Sequence, residues 1–225
     1  MGMGYVGFPT ALLIASGGAR VTGVEIDRAR FGDLNNGVSF LQEPDVLELF
    51  DTVMALGNLC FSNHIVPADI YVICVPTPVA RFGSLGTPDL TAVYDSASGI
   101  ADVIERDCIV VIESTCPIGT SEEVDKLIKL KIKERDLSFE PSVEVACCPE
   151  RVLPGNVVAE LRENPRVLGL DSELRKDDLI EFYRSFVVGE IRLSSTREAE
   201  MCKLIENSYR DVNIAFANQV ELIAD

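Results

Sequence analysis

Residues 1–11, MGMGYVGFPTA, decide the fold. Gly2, Gly4 and Gly7 spell G-x-G-x-x-G, the turn that joins a strand of a nucleotide-binding sheet to its first helix. The first glycine permits the tight bend, the second lets backbone approach a pyrophosphate, and the third lets helix and strand pack closely. Only Met1 precedes Gly2. The innermost strand that such a turn follows is therefore expected to be missing from these residues, with its two hydrogen-bond ladders and its burial on both faces, which predicts a weakened fold.

Working outward, the next strand supplies the acid that a dinucleotide site needs. The run RVTGVEID (Arg20–Asp27) places Glu25 23 residues after Gly2, close to the spacing of the carboxylate that accepts hydrogen bonds from the adenosine ribose. A carboxylate there favours NAD over NADP, with Arg28 or Arg30 able to blur the choice. Asp27 lies on the same face of the strand and competes with Glu25 for the role. Further apolar strand candidates are Asp69–Val75, Cys108–Ser114, Val143–Cys148, Pro165–Leu170 and Glu190–Leu193. They alternate with helical patterns at Val6–Ser16, Pro44–Leu56, Leu90–Arg106, Ser121–Lys133 and Glu173–Phe186, with Asp89 and Thr120 as N-caps. This alternation predicts an α/β, Rossmann-like, doubly wound parallel sheet.

Composition narrows the partners. With 20 Lys and Arg against 36 Asp and Glu, the net charge of -16 disfavours nucleic acid and acidic membrane surfaces, while a pocket of backbone N–H groups can still hold a small anion. The seven cysteines form no C-x-x-C, and several sit in apolar runs, as buried free thiols of a reducing cytosol would. His64 is the only histidine, which removes most zinc and Ser-His designs, so no metal is expected. No apolar run is long enough to span a bilayer, and the first residues lack a signal-peptide pattern.

Two later strand ends fit a ligand edge. DIYVICVPTP breaks at Pro76 and Pro78, and CIVVIESTCPIGT breaks at Pro117 and Gly119, so the hydroxyls of Thr77, Ser114 and Thr115 are expected to face a cofactor at the carboxyl edge of the sheet. Residues 196–225 contain neither Gly nor Pro and read as one long helix with an apolar seam at Cys202, Ile205, Tyr209, Val212 and Phe216. The Leu193–Thr196 turn is the natural boundary between a nucleotide-binding unit, 1–195, and the start of a second unit, 196–225.

Six motifs in this order, GMGYVGFPTA, the EP within Leu41–Asp45, VPTP, STCPIGT, CPERVLPGN and EAEMCKLIENSYRDVN, make the chain similar to the nucleotide-sugar 6-dehydrogenases, the UDP-glucose/GDP-mannose dehydrogenase family. CPERVLPGN and RDVNIAFAN most resemble the branch acting on UDP-N-acetylmannosamine. The resemblance implies oxidation of a UDP-sugar C6 alcohol to a carboxylate in two steps with two NAD. It implies NAD contacts from Tyr5, Val6, Glu25, Arg30, Thr77 and Thr115, sugar-nucleotide contacts from Arg151 and Val152, and Lys203, Asn207 and Arg210 at the reacting end. It also implies a homodimer formed through the long helix.

The residues themselves are consistent with that reading. Lys203, Asn207 and Arg210 stand at i, i+4 and i+7, one stripe on a helix, where an ammonium and an amide can stabilise an oxyanion as hydride leaves. Glu150, just past a buried strand, is the candidate proton acceptor. The resemblance also implies a nucleophilic cysteine in a G-G-x-C segment beyond the long helix, and these 225 residues contain no such segment. Cys147, Cys148 and Cys202 read as core thiols. Alternatives are a UDP-glucose or UDP-N-acetylglucosamine dehydrogenase, and a non-catalytic dinucleotide-binding module whose long helix pairs with a partner.

Overall fold

The computed structural model describes residues 1–82, 85–135, 137, 139–152 and 155–224. Leu153 and Pro154 of the CPERVLPGN motif, and Asp225 at the end of the expected long helix, lie outside the described residues. Helix α1 (Gly7–Ser16) starts on the third fingerprint glycine and is buried at every residue but Ser16. Strand β1 (Val21–Val24) is followed by α2 (Arg28–Asn35), whose first turn is capped by Asp27 accepting the Arg30 N–H at 2.8 Å. Helix α3 (Pro44–Leu56) opens on proline, ends at Gly57 with φ 71°, and buries Val46, Phe50 and Val53. Strand β2 (Leu59–Ser62) then pairs parallel with β1.

Strand β3 (Ile70–Ile73) leads into an antiparallel hairpin, β4 (Val79–Phe82) and β5 (Leu85–Pro88), and then α4 (Thr91–Val103). The chain continues through β6 (Cys108–Ile112), α5 (Thr120–Glu134), β7 (Val143–Cys147), α6 (Val157–Glu163), β8 (Arg166–Leu170), α7 (Lys176–Arg184), β9 (Ile191–Ser194) and α8 (Thr196–Ala224). The expected caps shift by one residue. Leu90 and Gly119 hold the N-cap positions, while Asp89 still accepts the Thr91 N–H at 3.0 Å and Thr120 becomes the first residue of α5.

Five strands form the main sheet in the order β3-β6-β7-β8-β9, with its core on both faces. Strand β6 shows how alternation builds it: Ile109 and Val111 join α1, α3 and α7 in one cluster, and Cys108, Val110 and Ile112 join α4 and α5 in the other. Every residue of β6 and β7 is buried, at about 1.5–3 kcal/mol for each large apolar side chain. This is a Rossmann-like, doubly wound architecture, with one correction to the expected parallel sheet. Strand β8 runs antiparallel to β7, with Ala146 opposite Leu170, because the connection through α6, which packs on α1 and α3, returns the chain in the opposite sense.

The remaining pair, β1-β2, is a separate two-stranded sheet. Between it and β3 the first two residues form backbone bridges: the Met1 amino group donates to Val72 O at 2.6 Å, Cys74 N donates to Met1 O at 2.9 Å, and Gly2 N donates to Val24 O at 2.9 Å. No strand precedes α1 among the described residues, and the sheet divides where the fingerprint's strand would run.

Candidate functional site

The fingerprint turn is shaped by contact. Gly2 has φ +82°, and a Cβ there would stand 2.7 Å from Cys74 O; a Cβ on Gly7 would stand 2.0 Å from Gly2 O. Both positions are closed to any side chain. Gly4 differs, since an added Cβ would meet nothing within 4 Å. Its bare backbone therefore faces open space at the start of α1, whose N-cap Val6 offers no side-chain acceptor and whose first turn carries no acid. Unsatisfied N–H groups and the positive end of the helix dipole meet there, a cradle that fits a pyrophosphate.

Beside it, Glu25 directly follows β1 with 4% of its surface exposed. It accepts the Asp27 N–H at 2.9 Å and pairs with Arg30 at 3.2 Å. The structure thus separates two acids that the sequence leaves equivalent, because Asp27 is occupied in capping α2. Arg30 also lies over the Phe40 ring at 4.9 Å, which fixes its guanidinium at the rim. Tyr5 donates to Glu43 at 2.8 Å and accepts from Gly155 N at 3.2 Å, tying the fingerprint to the loop before α6.

The hydroxyls expected to face a cofactor are engaged by the protein. Thr77 donates to Thr115 O at 2.7 Å, and Ser114, which is buried, donates to Val75 O at 2.7 Å. They lock the loop after β3 to the loop after β6, since backbone carbonyls at two adjacent strand ends need donors. Thr77 and Thr115 remain together at the carboxyl edge as a tied pair of loops.

The second group of candidates gathers where β7 meets α8. Burial pushes the Glu150 carboxyl above its ordinary value, against the pull of the Lys203 and Arg166 charges. The carboxylate accepts the Val152 N–H. Arg151 pairs with Glu206 and donates to Pro165 O at 3.3 Å, and with Arg210, Tyr209 and Asn213 it lines a hollow of about 630 Å³. Tyr209 of the expected apolar seam therefore shares this hollow with Arg210 of the polar stripe. Val152 packs on the main core, and Asn207 is exposed.

Sequence reasoning missed Glu200. Its buried carboxylate accepts Gly119 N at 2.6 Å, Ser121 N at 2.8 Å and Ser121 Oγ at 2.7 Å, so an acid on α8 caps α5. The signal was an acid at a core-facing position of EAEMCK. Glu113 was missed too; it accepts the Tyr183 hydroxyl at 2.8 Å under the sheet. The seven cysteines are free, and burial pushes Cys148 up to about 12 and Cys147 well above its ordinary value, which makes them poor nucleophiles.

Residues 1–187 match the model of the UDP-glucose/GDP-mannose dehydrogenase family, NAD binding domain, and residues 197–225 match that family's central domain. The chain belongs to this family. NAD is the cofactor of the matched domain, and the family's dehydrogenases are oxidoreductases. The chain is 41% identical over 229 residues to UDP-N-acetyl-D-mannosamine dehydrogenase of Escherichia coli K12, covering 99% of this chain and 53% of that one. It is 40% identical to NDP-N-acetyl-D-galactosaminuronic acid dehydrogenase of Ralstonia nicotianae, covering 100% and 53%. A solved UDP-D-ManNAc dehydrogenase from Pyrococcus horikoshii superposes with a TM-score of 0.90 at 38% identity, over 99% of this chain and 52% of that one. The chain spans about half the length of the curated relatives it matches. Among the described residues no helix is long and apolar enough to cross a membrane, and no group of His, Cys, Asp and Glu is placed to hold a metal ion.

Proposed function

We propose that the chain forms the NAD-binding part, residues 1–195, and the start of the central part, 196–225, of a dehydrogenase that oxidises the C6 alcohol of UDP-N-acetylmannosamine to the uronate. The observation that carries this reading is the open backbone at Gly4, set between the uncapped start of α1 and the Glu25–Arg30 pair. In the reading, Gly2, Gly4, Tyr5, Val6 and Gly7 hold the pyrophosphate, Glu25 the ribose with Arg30 at its rim, and the tied loops of Thr77 and Thr115 the far end of the dinucleotide. The bound NAD supplies the acceptor for a hydride.

The remaining roles fall to the group around α8. Arg151, Val152 and Arg210 hold the sugar nucleotide. Lys203 and Asn207 steady negative charge on the substrate oxygen. Glu150, with its affinity for protons raised by burial, accepts the alcohol proton directly or through water. Two copies pair through the exposed apolar residues of α8, among them Ile205, Val212 and Phe216. The near-equal identity to the galactosaminuronic acid enzyme supports a second reading, in which the substrate is the corresponding galacto sugar.

Calorimetric titration with NAD tests the cofactor assignment. Gly4→Ala is expected to fold with an unchanged Tm and bind NAD at least tenfold more weakly, because its Cβ enters only the space meant for ligand. Unchanged affinity in Gly4→Ala, or no NAD binding by the parent chain, would sink the reading.

A further inference from the structure

Glu43 stands at the head of α3, but its side chain serves other elements. It holds the N-cap position of that helix, and its carboxylate makes no capping bond there. Oε1 accepts the Tyr5 hydroxyl at 2.8 Å, and Oε2 accepts the Val157 N–H at 3.4 Å. The Tyr5 oxygen in turn accepts the Gly155 N–H at 3.2 Å. Both amides belong to the start of α6, where Asn156 at the N-cap gives no side-chain bond of its own. A phenol from the fingerprint and an acid from α3 thus supply the acceptors that the start of α6 needs.

The support behind Glu43 is firm, and the helix it holds leads to the second group of site residues. Ser39 Oγ donates to Leu41 O at 2.7 Å and accepts the Leu41 N–H at 3.1 Å, while Gln42 Nε2 donates to Ser39 O at 2.8 Å. Leu41 is buried in the α1 cluster, and Phe40 lies under Arg30, so Ser39–Glu43 touches the ribose rim as well as the fingerprint. Helix α6 packs along α1 and α3. At its far end Asn164 Nδ2 donates to Arg151 O at 3.4 Å, and the Arg151 guanidinium donates to Pro165 O at 3.3 Å. One end of α6 is therefore pinned by Tyr5 and Glu43, and the other end holds Arg151.

We propose that Glu43 is a positioning residue: through the Tyr5 hydroxyl it couples the dinucleotide cradle to α6, and through α6 to Arg151 on the sugar-nucleotide side. The inference rests on the NAD reading given above. Tyr5 directly follows Gly4, so a pyrophosphate held on the Gly4 backbone also fixes the point from which the phenol reaches Glu43. With its root held, the phenol stays on Glu43 and Gly155 for more of the time, and the start of α6 opens less often. The coupling is reciprocal, because the factor by which NAD closes the start of α6 is the factor by which that closed start tightens NAD.

Calorimetric NAD titration and amide hydrogen exchange on the 225-residue chain test the coupling together. In the parent, NAD is expected to slow exchange at Gly155 and Val157 about fivefold more than at Leu179 of α7, whose amide bonds Arg175 O outside the link. Glu43→Ala and Tyr5→Phe are each expected to remove that excess and to weaken NAD by about the same factor. Because Glu43 acts through the hydroxyl, the double variant should bind NAD no worse than Tyr5→Phe alone. Glu43→Gln, which keeps an acceptor oxygen for the phenol, should restore part of both effects. Should Glu43→Ala fail to fold, Glu43→Gln takes its place in the same cycle with Tyr5→Phe. Additive losses in the double variant, or an NAD-bound parent with no excess slowing at Gly155 and Val157, would overturn the coupling and leave the cofactor reading standing. If the parent binds no NAD, the cofactor reading falls and this inference falls with it.

Discussion

Strands β6 and β1 both descend from apolar, β-branched sequence, yet they sit in different states. CIVVI is buried at all five residues and paired on both sides, whereas VTGV is only half buried and paired on one side. The difference shows that hydrophobic composition makes a strand, while its neighbours decide how firmly it is held. In β6 each residue closes a ladder and a core; in β1 half the backbone groups face a hollow.

The sharpest way to break this comparison is to cut equal cavities in the two regions. Ile109→Ala in β6 is expected to cost roughly 2–5 kcal/mol by urea denaturation. Leu59→Ala in β2, on the wall of a hollow of about 660 Å³ between β1 and β3, is expected to cost about 2 kcal/mol or less, because a side chain next to an existing hollow loses fewer contacts. Equal costs would mean that the detached pair is as rigid as the main sheet.

A second test stays within the well-held region. Glu200→Ala strips acceptors from Gly119 N, Ser121 N and Ser121 Oγ and should lower stability by about 1–3 kcal/mol, with Glu200→Gln recovering part of it. A loss of this size confined to α5 and α8 in hydrogen exchange would show that the cap joins the two helices.

The two remaining predictions are pH effects. Burial raises the folded-state proton affinity of Glu150, so the stability this group contributes is complete below the ordinary carboxyl range and is lost as pH rises through the folded value. Glu150→Gln should therefore gain in urea midpoint over the parent between pH 4.5 and 7, and match it in more acid solution. The Met1 amine is the opposite case. Burial lowers its folded value from 8.0, against the pull of Cys74, Glu113 and Glu25, so its stability is present above pH 8 and lost as pH falls. Acetylation should flatten that part of the pH profile, the smallest effect of the four.

Much of this was legible in the sequence. The six strands of the expected sheet and six of its helices stand within a few residues of their forecast positions, because continuous apolar runs and Gly or Pro stops leave little choice there. Strand β2 was not foreseen, since LCFS carries no alternation and draws its ladder from β1. Helix α2 was missed because RARFGDLN buries only Leu34 and has no apolar stripe; its one signal was Asp27 as a cap. At the site, spacing found Glu25 but could not separate it from Asp27, because that distinction lies in which acid the next helix consumes. The hydrogen bonds of Thr77 and Ser114 were out of reach for a similar reason. A sequence shows that a donor sits at a strand end, while the carbonyl that claims it comes from a segment 38 or 39 residues away.

The cap formed by Glu200 has a mechanical consequence. It anchors α8 to the start of α5, directly after the loop that carries Thr115, and Lys203 follows one turn later. Beyond the anchor, 24 residues of α8 extend to Ala224, an arm of about 36 Å at the helical rise. A tilt of about five degrees at the Glu200 fulcrum would carry the far tip through about 3 Å while shifting Lys203 by only a few tenths of an ångström. Small displacements of the loop are thus small at the lysine and magnified at the tip.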